Sequence, residues 1–94
     1  MRIRRYICPS ELAPVLEAAL TANGYIIEIP YQENNKGDAA LVMTQGAVSV
    51  LLTQDAASDQ CEVDISGEAQ HTAAILLESL PLDLEKLPTL QGMD

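Results

Sequence analysis

The stretch AALVMTQGAVSVLLT, residues 39–53, decides the fold of this 94-residue chain. Its two halves are strand-like on either side of Gln45-Gly46, where glycine accepts the positive φ of a tight turn. We therefore predict a hairpin of strands 39–44 and 47–53. One side of this hairpin carries Leu41, Met43, Val48, Val50 and Leu52. The opposite side is also apolar and carries Ala40, Val42, Ala47 and Leu51.

An antiparallel strand with one face in water alternates apolar and polar residues, as CEVDI at 61–65 does. The hairpin departs from this rule, so we expect its second side to be covered or used. Three alternatives are open for this second side. The leucine-bearing C-terminal tail folds back over it, it stays exposed as a slightly apolar surface of small residues, or it is a protein interface. For the interface, the candidate binding residues are Ala40, Val42, Ala47, Ser49 and Leu51.

The rest of the chain predicts the order β-α-β-β-β-β-α. Strands are expected at 2–8, 25–29 and 61–65 besides the hairpin, with Pro30 placing the second strand at a sheet edge. The first helix runs from the N-cap Ser10 to Asn23-Gly24, and the second covers 67–80 after the N-cap Ser66. The expected buried positions are Tyr25, Ile27 and Ile29 of the second strand, Leu12, Val15, Leu16, Ala19 and Leu20 of the first helix, and Ala69, Ala73, Leu76, Leu77 and Leu80 of the second.

This order predicts an α+β fold, a two-layer sandwich of a five-stranded, mostly antiparallel sheet with both helices on one face. Residues 1–81 form the single domain, since a second core would leave each half too small to fold alone. Residues 82–94 are predicted to be a C-terminal tail that packs partly on the core or frays.

Composition excludes several classes of protein. The chain has 48% hydrophobic and 20% charged residues, with a formal net charge of −9. This balance favours a folded acidic domain, and we expect neither a membrane span nor a nucleic-acid-binding surface. The start of the chain lacks the pattern of a signal peptide, so a cytoplasmic location is expected. In that reducing compartment Cys8 and Cys61 are predicted to be buried free thiols.

The search for chemistry gives little. His71 has no metal-binding companion at helical spacing, and the five glycines are isolated, so we predict no metal, no cofactor and no enzyme activity. Three arginines lie on the first strand of an otherwise acidic chain. They are expected to pair with Glu28, Glu62 or Asp64 across the sheet, while Arg4 and Arg5 are also candidate contacts for an anionic ligand.

Residues 4–25, RRYICPSELAPVLEAALTANGY, resemble the first βα unit of the P-II signalling family and other ferredoxin-like regulators. The resemblance covers about a quarter of the chain. Beyond it, a compact hairpin replaces the long nucleotide-contacting loop of that family, and no sixth strand is predicted after the second helix. No site residue is therefore carried over.

These observations predict a small acidic, non-catalytic protein-binding module, an adaptor or inhibitor that docks on a macromolecular partner. The partner is another protein, a second copy in a homodimer, or both. The net charge favours association with basic partners. The alternative is a small-ligand sensor of ferredoxin-like type that uses the cleft between helices and sheet.

Overall fold

The stretch 39–53 forms two neighbouring strands inside an open antiparallel sheet of six strands. A computed structural model describes residues 2–33 and 37–91 of the chain, and only the backbone of Gln91. The strands are β1 Arg2–Pro9, β2 Ile26–Glu33, β3 Ala39–Gln45, β4 Val48–Asp55, β5 Gln60–Ser66 and β6 Glu85–Gln91. The helices are α1 Ala13–Ala22, preceded by a 3-10 turn at Ser10–Leu12, and α2 Gln70–Ser79. The predicted α+β class with two helices is confirmed.

The sheet has the strand order β2-β3-β4-β5-β1-β6, and every neighbouring pair is antiparallel. It follows that β1 and β2 point in the same direction, although three strands lie between them. The connection through α1 therefore crosses the sheet from β1 to its far edge. β2 is an edge strand, as Pro30 predicts, because a residue without an amide hydrogen is tolerated there.

The predicted five-strand order is wrong in one element, because a sixth strand follows the second helix. β6 pairs with β1 and extends the sheet beyond it. Pro88 is tolerated in β6 because this strand lies at an edge, and a register shift opposite Ile3–Arg5 adjusts the pairing. Most of the predicted tail 82–94 is therefore sheet, while 92–94 lie outside the described residues. β6 lies three strands away from β4, so it does not cover the hairpin.

One hydrophobic core joins both helices to a single face of the sheet. Alternate strand residues point into it, as the period of two requires. Its largest fully buried side chains are Leu16, Leu20, Leu41, Met43, Leu52, Ile65, Leu77, Val50, Val63 and Cys61. On the opposite face of β1, β3, β4 and β5, no described residue is buried. Both cysteines are buried and free, as predicted.

Two predicted helix caps are wrong. The hydroxyl of Ser10 donates to Asp59 Oδ1 at 2.5 Å, and no side chain caps the 3-10 turn. Ser66 is the last residue of β5, and α2 begins at Gln70 without a side-chain cap. Ser10 therefore belongs to the 3-10 turn and Ser66 to a strand, although the local sequence predicts both as N-caps of helices.

The predicted inward sets of β2 and α1 are partly wrong. Tyr25 is buried, but Ile27 and Ile29 are 46% and 44% exposed. Register shifts on either side of Ile29 interrupt the period of two in β2. In α1, Val15 is 46% exposed, whereas Leu16 and Leu20 are fully buried. Edge position explains the first departure, because β2 has a neighbour on one side only.

Candidate functional site

The face of the sheet opposite the helices, called the open face below, is the candidate site. Its geometry follows from the strand register, because residues directly opposite each other on neighbouring strands share a face. One row crosses all six strands on this face and consists of Ile29, Val42, Leu51, Asp64, Arg5 and Leu87. The row is apolar over β2, β3 and β4 and charged over β5 and β1.

The apolar part of the open face forms a patch across three strands. We define the open-face patch as Ile26, Ile29, Ala40, Val42 and Leu51. Val42 and Leu51 lie opposite each other and are half-buried by their neighbours in the sheet. Ile26 is 67% exposed, which for a large apolar side chain is costly to leave in water. The patch is bordered by the hydroxyl-bearing residues Thr44, Ser49 and Thr53.

The structure brings four of the five candidate binding residues together. Ala40, Val42, Ser49 and Leu51 all lie on the open face of β3 and β4. Ala47 does not, because it is exposed in the hairpin turn. Gln45 pairs with Val48, so the two-residue turn is Gly46-Ala47 rather than Gln45-Gly46. Gly46 has a φ of 59°, which matches its predicted role in the turn.

A charged cluster of Arg5, Glu62 and Asp64 adjoins the open-face patch. Arg5 donates from Nε and Nη2 to the two carboxylate oxygens of Glu62, each at 3.3 Å. Its Nε lies 3.9 Å from Asp64 Oδ1, an oxygen that is buried and has no hydrogen-bond partner among the described residues. The expected pairing of the β1 arginines across the sheet is thus confirmed for Arg5.

The two carboxyl groups of this cluster have pKa values shifted in opposite directions. Burial raises the pKa of Asp64 to about 7, and hydrogen bonding to Glu62 and its negative charge act in the same direction. The pKa of Glu62 is lowered by hydrogen bonds from Asp64 and Arg5. Like charges this close are not both ionised easily, so Asp64 keeps its proton to a higher pH than an ordinary aspartate does. Any surface that covers the cluster has to satisfy these groups.

Acidic side chains also line the end of the open face where β4 leads into β5. A shallow pocket of about 390 Å³ is lined there by Asp38, Asp55 and Glu62 beside the apolar Ile7. The Asp55 carboxylate accepts hydrogen bonds from the amide of Ala57 and the hydroxyl of Ser58 within its own loop. The open-face patch therefore has carboxylates along two of its borders.

The two arginines predicted to contact an anionic ligand lie on opposite faces of β1. Neighbouring residues of a strand point to opposite faces, so Arg5 lies on the open face while Arg4, opposite Ile65, lies on the helix-covered face. Arg5 is engaged by Glu62. Both nevertheless line a pocket at the β1–β6 edge together with Lys86. Sequence reasoning missed Lys86 because its strand was not expected.

The cleft between helices and sheet, proposed for a small ligand, is filled by core side chains. Leu16, Leu20 and Leu77 have no exposed surface there. Within residues 2–33 and 37–91, no group of three or more His, Cys, Asp or Glu side chains is arranged to hold a metal ion. Both described helices have ten residues, and neither is long and apolar enough to cross a bilayer.

Comparison with known proteins adds no relative. No protein-family model matches the chain, and no curated protein matches it with significant similarity.

Proposed function

We propose that this chain is a non-catalytic protein-binding module that docks its open face on a heterologous protein with an apolar contact surface and a basic rim. The observation that carries the proposal is the open-face patch, which is apolar across three strands and has neither helix packed on it. Large contiguous apolar patches on folded domains usually mark interaction sites. In this proposal the module acts as an adaptor or inhibitor in the cytoplasm, where Cys8 and Cys61 stay reduced.

Burial of the patch supplies the affinity. Covering a few hundred Å² of apolar surface is worth several kcal/mol at about 25 cal/mol per Å², before the entropic cost of association. Most of this gain comes from Ile26, Ile29, Val42 and Leu51, since Ala40 offers little surface. The hydroxyl groups at the border remain able to bind water or polar groups of the partner.

Charge favours a basic partner over a second copy of the chain. Each copy carries a net charge of −9, so two copies repel each other. Two open faces meeting in a homodimer would also bring together the carboxylates that border the patch in each copy. A partner with Lys or Arg at its rim instead meets the carboxylates that border the patch, which raises its association rate.

The test uses a photo-crosslinking amino acid in the intact chain at position 49, on the open face. A matched position is 75 on α2, because Ile75 is a large apolar residue that is 56% exposed away from the sheet. We expect position 49, and not position 75, to give one adduct with a protein rich in Lys and Arg. Adducts between two copies of this chain, or equal yields from both positions, contradict the proposal.

The purified partner then allows a matched pair of charge variants at one site. Ser49→Lys places a cation beside the patch and should weaken binding about tenfold, whereas Ser49→Glu should leave it unchanged or strengthen it. Leu51→Glu should abolish binding, and Ile75→Glu should not. Affinity should fall as the salt concentration rises from roughly 0.05 to 0.5 M. An affinity that does not respond to salt excludes the basic rim.

A further inference from the structure

A second recognition site lies at the edge of the sheet formed by β1 and β6. A cavity of about 240 Å³ opens there and is called the edge pocket below. Its wall carries the charged side chains of Arg2, Arg4, Arg5, Lys86 and Glu78, together with the hydroxyl groups of Tyr6 and Thr89. None of the open-face patch contributes to it, so its role is independent of the proposed protein docking.

The edge pocket concentrates the positive charge of the chain. The sequence has five Lys and Arg residues against 14 Asp and Glu. Four of the five line this one cavity, and the fifth, Lys36, lies outside the described residues. Among residues 2–33 and 37–91, Glu78 is the only carboxylate in the wall. A protein that repels anions over most of its surface therefore attracts them at this place.

The Glu78 carboxylate is already neutralised by its neighbours. Lys86 Nζ lies 2.7 Å from Glu78 Oε1, and the hydroxyl of Tyr6 donates to Glu78 Oε2 at 2.9 Å. These contacts hold Lys86 at the rim of the pocket. The lysine charge and the glutamate charge cancel, which leaves the three guanidinium groups as the net charge of the wall.

Two of those guanidinium groups are available for a ligand. Arg5 is held by Glu62. Arg2 and Arg4 form no ion pair with any carboxylate in the described part of the chain. Arg4 is half-buried on the helix-covered side of β1, between buried Tyr6 and exposed Arg2. The charge of Arg4 helps to lower the pKa of Glu78, but that carboxylate is already bound by Lys86 and Tyr6. An anion in the pocket gives the partly desolvated Arg4 a counter-ion of its own.

We propose that the edge pocket binds a phosphate dianion, either inorganic phosphate or the phosphate group of a small phosphomonoester. The planar fork of a guanidinium group matches two phosphate oxygens, and two such forks suit an anion with two charges. The volume of about 240 Å³ is below the usual size of a site for a drug-sized ligand. A dinucleotide is therefore too large, whereas a phosphate with a few attached carbon atoms fits.

The experiment titrates the intact chain with inorganic phosphate at constant ionic strength, balanced with sodium chloride, and follows amide NMR shifts. We expect saturable shifts in residues 2–6 and 85–89. Arg4→Gln should weaken phosphate binding about tenfold, the effect of removing one charged hydrogen-bonding group. Thr21→Glu is the matched control, since both variants have a net charge of −10 and Thr21 is exposed on α1 away from the pocket.

Two further arms separate the sources of the anion and guard against misfolding. A phosphomonoester such as glycerol 3-phosphate that binds more tightly than inorganic phosphate assigns the ligand to small molecules, and equal affinities assign it to free phosphate. If Arg4→Gln unfolds, the exposed Arg2→Gln replaces it in the titration. Equal weakening in Thr21→Glu, or shifts that do not saturate, overturns the proposal. So does tighter binding of a single-stranded oligonucleotide with shifts spread beyond the edge pocket, which indicates a nucleic-acid surface instead.

Discussion

Replacing Asp64 by Asn should stabilise the protein at alkaline pH and leave it nearly unchanged in acid. Burial holds the Asp64 pKa at about 7 in the folded chain, against an ordinary value of 3.8. The unfolded chain therefore loses this proton first as the pH rises. The contribution of Asp64 to the free energy of unfolding is complete below about pH 4 and is lost progressively up to about pH 7.

The change in unfolding free energy follows from the pH range over which the folded and unfolded chains differ in the protonation of Asp64. Between pH 5 and the folded pKa of about 7 there are two pH units, worth ~2.7 kcal/mol at ~1.4 kcal/mol per unit. The side chain is 24% exposed, and its pKa depends on the charge of Glu62, so solvent screening reduces this to about 1.5 kcal/mol. Asn keeps the shape of the protonated carboxyl group but has no proton to lose.

Urea unfolding at pH 5 and pH 8 measures the difference in unfolding free energy between Asp64→Asn and the wild type. This difference should move in favour of the variant by about 1.5 kcal/mol from pH 5 to pH 8. Asp83→Asn makes the same charge change at an exposed site and should show no such movement. A constant or reversed difference for Asp64→Asn would mean that the Asp64 carboxyl is ionised in the folded protein over this whole pH interval, which refutes the raised Asp64 pKa.

Two further predictions concern the backbone and the thiols. Gly67 has a φ of +109°, and a Cβ there would overlap the carbonyl oxygen of Ala47, so Gly67→Ala should cost about 3 kcal/mol of stability in urea unfolding. Gly24→Ala meets only the end of a flexible glutamine side chain and should cost about 1 kcal/mol, and equal costs would contradict this reasoning. Cys8 and Cys61 are buried, and the pKa of Cys61 is raised to about 12. Ellman's reagent at pH 8 should therefore react with both thiols about a hundredfold more slowly in the folded than in the unfolded chain. Rapid reaction of the folded chain would show that β1 and β5 separate easily.

The hairpin could be predicted because its information is local. The alternation in 39–53 places Leu41, Val50 and Leu52 on one face without reference to any other part of the chain. The predicted position of the turn is wrong by one residue. A turn at Gln45-Gly46 and a turn at Gly46-Ala47 both keep the same apolar side chains on the same face of the hairpin, so the alternation does not distinguish them. Only the pairing of Gln45 with Val48 distinguishes the two turns.

The sixth strand could not be predicted because its evidence is distant in sequence. In 85–91, Leu87 and Leu90 are three residues apart and Pro88 lies between them, which fits neither a regular strand nor a helix. The strand forms because β1 offers a free edge on that side, with a register shift that absorbs the irregular spacing. The edge pocket could not be predicted either, since Lys86 comes close to the arginines only through the pairing of β6 with β1.

The candidate site was predictable in its composition and not in its electrostatics. Alternation in 61–65 places Glu62 and Asp64 on the face away from the core, as the structure has it. That Arg5 reaches both carboxylates depends on the register of β1 against β5, in which Arg5 lies opposite Asp64. A register shifted by one residue would place the arginine side chain on the other face.

No helix of residues 2–33 and 37–91 packs on the open face, and methyl NMR with a soluble paramagnetic agent measures directly whether that face is exposed in the intact chain. Relaxation of the Val42 and Leu51 methyl groups should be strongly enhanced, because they face solvent on β3 and β4. The methyl groups of Val50 and Leu52 are fully buried on the opposite face and should show little enhancement. Val42 and Leu51 methyl groups as protected as those of Val50 and Leu52 would mean that the open face is already covered, and the docking surface proposed here would not exist.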